Sequence, residues 1–219
     1  MIKYVIFDMD GTIFDTERLL GNSWIETGKA WGLDRVEEVY AKVIGRNVKT
    51  AYAILREAYG EDFPSEKFFA ERMVLFYSMI EKYVPIKKGA SELLRFLREN
   101  GIKTAIATSS DKSLAVSNLE KTGMTELFDA VVSGDMVKRG KPDPEIFLKA
   151  AEKISAKPEE TLVCEDAYTG IQAANAAGMM PVLVIDMLPP TSETDKLCFA
   201  TCNDLCEVEK LIKKENNLY

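Results

Sequence analysis

The sequence predicts an α/β protein, a parallel-sheet core interrupted by an inserted module of four helices. Three observations carry this reading. A short apolar run, Tyr4-Val5-Ile6-Phe7, reads as a buried strand and stops abruptly at Asp8-Met9-Asp10-Gly11-Thr12. From about residue 17 to 84, apolar residues recur at helical spacing with no strand signal between them. From Gly89 onward, short apolar runs alternate with amphipathic helical stretches, the pattern of right-handed crossovers that build a parallel sheet.

The elements follow in order. Residues 1–8 hold the first strand. The inserted module shows helical spacing in Leu19, Leu20, Trp24, Thr27 and Trp31, then in Val36, Val39, Tyr40 and Val43. The same spacing returns in Ala51, Ile54, Leu55 and Ala58, and in Phe68, Phe69, Met73, Phe76, Met79 and Ile80. Asp34 and Asn47 are expected as N-caps, Pro64-Ser65 as the start of the last helix, and the aromatic residues as core. Beyond Gly89, helices are expected at 90–99, 111–122, 144–154, 167–177 and 204–214. Strands are expected at 102–107, 129–133, 161–164, 181–185 and near 198–201. Asp204 with Glu207 should cap the closing helix.

Two aspartates one residue apart at a strand end leave it on the same side, so both can face one substrate. Like charges this close raise each other's pKa unless a cation intervenes, and an all-oxygen site suits a hard ion such as Mg2+. An ionised Asp8 needs no base to act as a nucleophile. Asp10 can give a proton to a leaving oxygen and take one from an attacking water. Ligands in open parallel sheets bind at the carboxyl ends of the strands, and further polar groups fall there. Thr108 and Ser109, with Ser110, follow the strand ending at Ala107 and offer a hydroxyl and backbone N–H groups to a phosphate. Lys141 lies in the loop after Val131-Val132 and can hold the phosphate as a compact charge. Glu165 and Asp166 follow Leu162-Val163-Cys164 and can complete a metal's oxygen shell with Asp8 and Asp10.

Composition narrows the alternatives. A net charge of −7 argues against nucleic acid as a partner. No apolar run approaches membrane-spanning length and no signal peptide is seen, so a cytoplasmic monomer without a membrane partner is expected. The chain has no histidine, which excludes histidine-based triads and leaves proton transfer to carboxylates, Lys, Tyr or Cys. The spacing of Cys198, Cys202 and Cys206 is read as free thiols rather than a metal site, as is Cys164.

The string Asp8-Met9-Asp10-Gly11-Thr12-Ile13-Phe14-Asp15 resembles the first signature motif of the haloacid dehalogenase-like (HAD) superfamily. Thr108 resembles the second motif, Lys141 in Gly140-Lys141-Pro142-Asp143-Pro144 the third, and Glu165-Asp166 the fourth, followed by Thr169-Gly170-Ile171-Gln172-Ala173-Ala174. The insertion resembles the helical cap of one branch of that superfamily. The resemblance implies a Rossmann-like core over 1–16 and 85–219, a cap over 17–84, Mg2+ as cofactor and an Asp8-phosphate intermediate. It implies hydrolysis of a small phosphorylated metabolite, such as a sugar phosphate. Asp10 argues against dehalogenation, because the dehalogenases lack that residue, and against the ATP-driven pumps, which carry Thr there. The phosphonate-hydrolysing branch needs a cap lysine that nothing in this sequence marks. The first and fourth motifs also resemble β-phosphoglucomutases, but these use a cap histidine where this chain has Leu20, which favours a phosphatase. In the cap, Arg46 of Gly45-Arg46-Asn47 is expected as a contact to a second anionic group of the substrate. A non-catalytic regulator that binds a phosphorylated ligand is the alternative outside the enzymes. Asp15 is expected to be structural.

Overall fold

The computed structural model describes residues 1–44 and 48–218. The chain divides into two compact units, residues 1–15 with 85–219, and residues 16–84.

The chain opens with β1 (Tyr4–Phe7), whose Val5, Ile6 and Phe7 are fully buried. The second unit is then wholly helical among its described residues: α1 (Thr16–Ala30), α2 (Val36–Val43), α3 (Val48–Tyr59) and α4 (Ser65–Lys82). Its apolar spacing gathers Trp24, Val39, Val43, Ala51, Leu55, Phe63 and Phe68 into one core. The expected aromatic core is present: Trp24 meets Phe68 edge-on at 5.1 Å and Phe69 at 5.4 Å, and Trp31 meets Phe68 at 5.4 Å. Asp34 is not the N-cap of α2. Arg35 takes that position with φ 51°, and no side chain caps the helix. The Asn47 cap lies outside the described residues. Pro64 stands at the N-cap of α4 as expected.

The first unit resumes with α5 (Ala90–Glu99), β2 (Lys103–Ala107), α6 (Lys112–Thr122) and β3 (Ala130–Val132). It continues through α7 (Glu145–Ile154), β4 (Thr161–Glu165), α8 (Tyr168–Ala176), β5 (Met180–Val184), α9 (Ser192–Leu197), β6 (Ala200–Cys202) and α10 (Leu205–Asn216). The six strands form one sheet in the order β3-β2-β1-β4-β5-β6, every neighbouring pair parallel. This is a Rossmann-like α/β fold. Parallel strands buried on both faces read as continuous apolar runs, as these do. One cluster joins Ile6, Ala105, Ala107, Val132 and Val163 of the sheet to Ile146, Phe147 and Ala150 of α7 and Ala173 and Ala174 of α8. The strand order reverses at β1, between β2 and β4, so the carboxyl end of β1 lies at the switch point where such sheets bind ligands.

Helix α9 has no counterpart among the expected elements. It follows Pro189-Pro190, where a loop is the natural reading, and starts from a capping box between Thr191 and Thr194. At α10, Asp204 accepts the Glu207 N–H as expected, while the Glu207 carboxylate reaches one residue further back, to the Asn203 N–H at 2.8 Å. All four cysteines are free, as expected. No helix among the described residues is long and apolar enough to cross a membrane.

Candidate active site

The carboxyl ends of β1, β2 and β4, with the loop after β3, bring the predicted polar groups of the sheet unit together. Asp8 leaves β1 with its N–H donated to the Cys164 carbonyl at 2.9 Å, so the first ladder continues one residue past the strand. Gly11 then turns with φ 86°, and a Cβ there would overlap the Asp166 carboxylate. Only glycine meets both demands, positive φ and close approach of a carboxylate to the backbone. The turn is tied back by the Gly11 N–H to the Phe14 carbonyl at 2.8 Å. Thr12 Oγ1 donates to Asp166 Oδ1 at 3.5 Å, so the loops after β1 and β4 are also linked through side chains.

Lys141 is the centre of charge. Its Nζ stands 2.6 Å from Asp8 Oδ1 and 2.6 Å from Glu165 Oε1, with all three side chains buried. The ammonium also lies 5.0 Å from the centroid of the Phe147 ring. Burial alone would push its pKa down, but Asp8 and Glu165 overcome that and hold the ammonium charged. Glu165 Oε2 accepts the Ala167 N–H at 2.6 Å ahead of α8. Gly170, one turn along α8, leaves the room this carboxylate occupies. Both Glu165 oxygens thus accept a hydrogen bond, one from Lys141 and one from Ala167.

Asp10 has different neighbours. Its Oδ2 accepts from Ser110 Oγ at 2.7 Å and from Thr108 Oγ1 at 3.3 Å. Thr108 Oγ1 in turn accepts the Ser110 N–H at 3.0 Å. Of the expected anion-binding pair, Thr108 is buried and faces Asp10, while Ser109 is exposed. Ser110, read from the sequence only for its backbone, is the hydroxyl that faces Asp10 most closely. Its position two residues beyond Thr108 was the available signal, since residues i and i+2 leave a strand end on one side.

The Lys141 loop has an anchor that sequence reading passed over. Glu145, the first residue of α7, accepts the Lys138 and Arg139 N–H groups at 3.0 and 3.1 Å and pairs with Lys149 at 3.0 Å. The N–H bonds from Lys138, the Lys149 contact and the Arg139 N–H lower its carboxyl pKa from 4.5 to about 2. Arg46, the expected contact from the helical unit, lies outside the described residues.

The donor set fits a hard divalent cation. Among the described residues there is no group of three or more Asp, Glu, His or Cys side chains placed to hold a metal ion. Mg2+ does not need one, because it binds through one or two carboxylates and keeps waters or substrate oxygens as its remaining ligands. Asp8, before the Gly11 turn, and Asp166, whose carboxylate packs against Gly11, are the carboxylates available for this. Charge points the same way. Burial, with Glu165 and Asp10 adding to it, pushes the Asp8 carboxyl pKa well up despite the Lys141 contact.

Comparison with known proteins bears on the family and the fold. The family model described as haloacid dehalogenase-like hydrolase matches residues 2–178. A phosphorylated carbohydrates phosphatase of Thermotoga maritima is 34% identical over 81% of this chain and 82% of its own length. A HAD family hydrolase of Deinococcus radiodurans R1, solved with bound phosphate and sodium, superimposes with a TM-score of 0.84 at 25% identity, covering 98% of this chain and 96% of that one. The β-phosphoglucomutase of Clostridium difficile superimposes with a TM-score of 0.74 at 26% identity, covering 99% and 98%.

Proposed function

Since this chain belongs to the haloacid dehalogenase-like hydrolases, we propose that it is a Mg2+-dependent phosphatase of small cytoplasmic phosphomonoesters that works through a phosphorylated Asp8. The observation that carries the reading is the unequal treatment of two neighbouring carboxylates. Asp8 is paired with the Lys141 ammonium, and Asp10 is surrounded by the hydroxyls of Thr108 and Ser110. Environments that differ in this way suit one group for attack and the other for proton transfer.

In the proposed reaction an Asp8 carboxylate oxygen attacks phosphorus in line with the ester oxygen. The P–O bond to the leaving group breaks, and Asp10 gives that oxygen its proton. Asp10, now ionised, takes a proton from water. The hydroxide attacks the phosphorus of the mixed anhydride, which frees Asp8 and releases inorganic phosphate. In this reading Lys141 offsets charge on the equatorial oxygens, and the Thr108 hydroxyl turns from Asp10 to donate to one of them. Asp8, the Asp10 carbonyl and Asp166 would hold Mg2+, which supplies Lewis-acid stabilisation of the transferring group. Glu165 keeps Lys141 in place. Substrate selection beyond the phosphate is assigned in this reading to the helical unit, with Arg46 as the candidate contact.

The mutase reading rests on the likeness to β-phosphoglucomutase. Against it, the chain has no histidine and carries Leu20 at the position that matches the mutases' cap histidine. A binding-only regulator finds no support among the relatives, which include a named phosphatase. The test is phosphate release from a panel of small phosphomonoesters, sugar phosphates included, with Mg2+ or with EDTA. Metal-dependent release that vanishes in Asp8→Asn is expected. No release from any ester, followed by hexose 1-phosphate isomerisation with a bisphosphate primer, would move the assignment to the mutase.

A further inference from the structure

The sheet unit contains a second lysine, half-buried, between two carboxylates, and the reaction above does not use it. Lys87 Nζ stands 2.7 Å from Asp186 Oδ1 and 4.0 Å from Asp15 Oδ1. The Asp186 side chain is fully buried, and that of Lys87 is 14% exposed. The three residues come from three places: the end of the first-motif loop, the return segment at 85–87, and the turn after β5. Their position along the chain matters. The backbone crosses from one unit to the other between residues 15 and 16 and returns between 84 and 85. Inside the sheet unit, the outgoing and returning segments form a short antiparallel ladder. Phe14 bridges Ile86, the Asp15 N–H donates to the Pro85 carbonyl at 2.9 Å, and the Lys87 N–H donates to the Ile13 carbonyl at 2.9 Å.

This ladder continues into the catalytic loop. Phe14 also bridges Asp10, through the Gly11 N–H bond to its carbonyl. A continuous series of contacts therefore runs from Asp186 to the Lys87 ammonium, from the Lys87 N–H to Ile13, and from the neighbouring Phe14 carbonyl to the N–H of Gly11, next to Asp10. We propose that Lys87 is a positioning residue: by tying both crossover segments to the end of β5 it fixes the loop that carries Asp10. A half-buried ammonium against a buried carboxylate fits this task, because their attraction is less screened than at the open surface and strengthens as the pair closes. The kinetic consequence rests on the phosphatase reading, whereas the structural one does not.

Two measurements on the full chain test it. Hydrogen exchange is compared for wild type, Lys87→Met, Lys87→Arg and the double variant Lys87→Met/Asp186→Asn, which removes both charges and guards against misfolding of the single variant. Amides of Gly11 and Asp15 should exchange at least about tenfold faster in Lys87→Met, while those of β4 are unchanged. The double variant should match Lys87→Met, and Lys87→Arg should stay near wild type. With a substrate in hand, kcat should fall about tenfold or more in Lys87→Met with KM nearly unchanged, since a small displacement of a catalytic group is enough for that. Unchanged exchange at Gly11 and Asp15, or equal acceleration throughout the sheet, would overturn the proposal. So would faster exchange with an unaltered kcat. If the wild-type protein releases phosphate from no ester, the phosphatase reading fails and the exchange result decides this proposal alone.

Discussion

The sheet edge and the helical core each bury a cation, and they do so in opposite ways. At the sheet edge Lys141 is held by charge, with a carboxylate 2.6 Å away on either side. In the helical unit Arg72 is 6% exposed, and its guanidinium lies over the rings of Phe69 at 4.7 Å and Trp24 at 5.7 Å. Its Nη2 meets the Met73 sulfur at 3.3 Å, while Nε and Nη1 find no hydrogen-bond acceptor. Burial lowers its pKa, against an opposing pull from Tyr40, Glu17 and Tyr52. The contrast shows what each region is built for. A buried charge matched to other charges in fixed geometry is expensive to assemble and suits chemistry. A buried charge laid on aromatic faces rests on packing and polarisation, which suits a scaffold.

The largest effect should come from breaking the first arrangement. Lys141→Met should lower kcat by about 10²–10³, the usual loss for one preorganised electrostatic group. It also leaves Asp8 and Glu165 buried without their cation, so urea unfolding should show a loss of about 3–5 kcal/mol. Trp24→Ala attacks the second arrangement through packing. Trp24 is 2% exposed at the centre of the aromatic cluster, and its loss should cost the helical unit about 3–5 kcal/mol by the same measurement.

A subtler separation uses pH. The carboxyl of Glu145, which staples the Lys141 loop, is lowered from 4.5 to about 2 in the folded chain. A lowered carboxyl stabilises the fold above its unfolded pKa and loses that contribution as pH falls through its folded one. Wild type should therefore melt above Glu145→Gln by a constant interval from pH 7 to pH 5. That interval should close between about pH 4.5 and 2. An interval independent of pH would mean that the carboxylate's charge is not what holds the loop. The smallest effect is expected at Arg72→Met, which exchanges a poorly satisfied guanidinium for an apolar chain of similar reach. Stability should change by less than about 1 kcal/mol, or rise. A loss of several kcal/mol would show that the ring contacts carry more than packing.

The same contrast explains what could be read from the sequence. Asp8, Asp10, Glu165 and Asp166 were legible because carboxylates clustered at the ends of buried strands are costly without a function, and several such ends must project onto one sheet edge; Lys141 was legible from the Gly140-Lys141-Pro142-Asp143-Pro144 run in the loop after β3. The strands and most helices were legible from period alone. Ser110 escaped because a serine next to Thr108 and Ser109 reads as helix capping, and which hydroxyl turns toward Asp10 is set by the exit angle of β2. Glu145 escaped because a glutamate at a helix start is ordinary, and its bonds to Lys138 and Arg139 depend on how the preceding loop folds back. Helix α9 hid behind two prolines, its cap formed by threonines that also suit a loop. Arg72 sits among apolar residues of α4 at a spacing that would equally place it on a solvated face, and Lys87 becomes informative only when Asp186 is brought beside it by β5.

The central claim, that Asp8 forms a phosphoenzyme which Asp10 helps to discharge, is tested most directly by trapping it. Asp10→Asn would be incubated with Mg2+ and acetyl phosphate, quenched in acid, digested and mapped by mass spectrometry. The account predicts phosphate on the peptide containing Asp8, accumulating in Asp10→Asn beyond the wild-type level and absent when Asp8→Asn is added. Phosphate on any other residue, or none on that peptide while the wild-type enzyme hydrolyses esters, would contradict it.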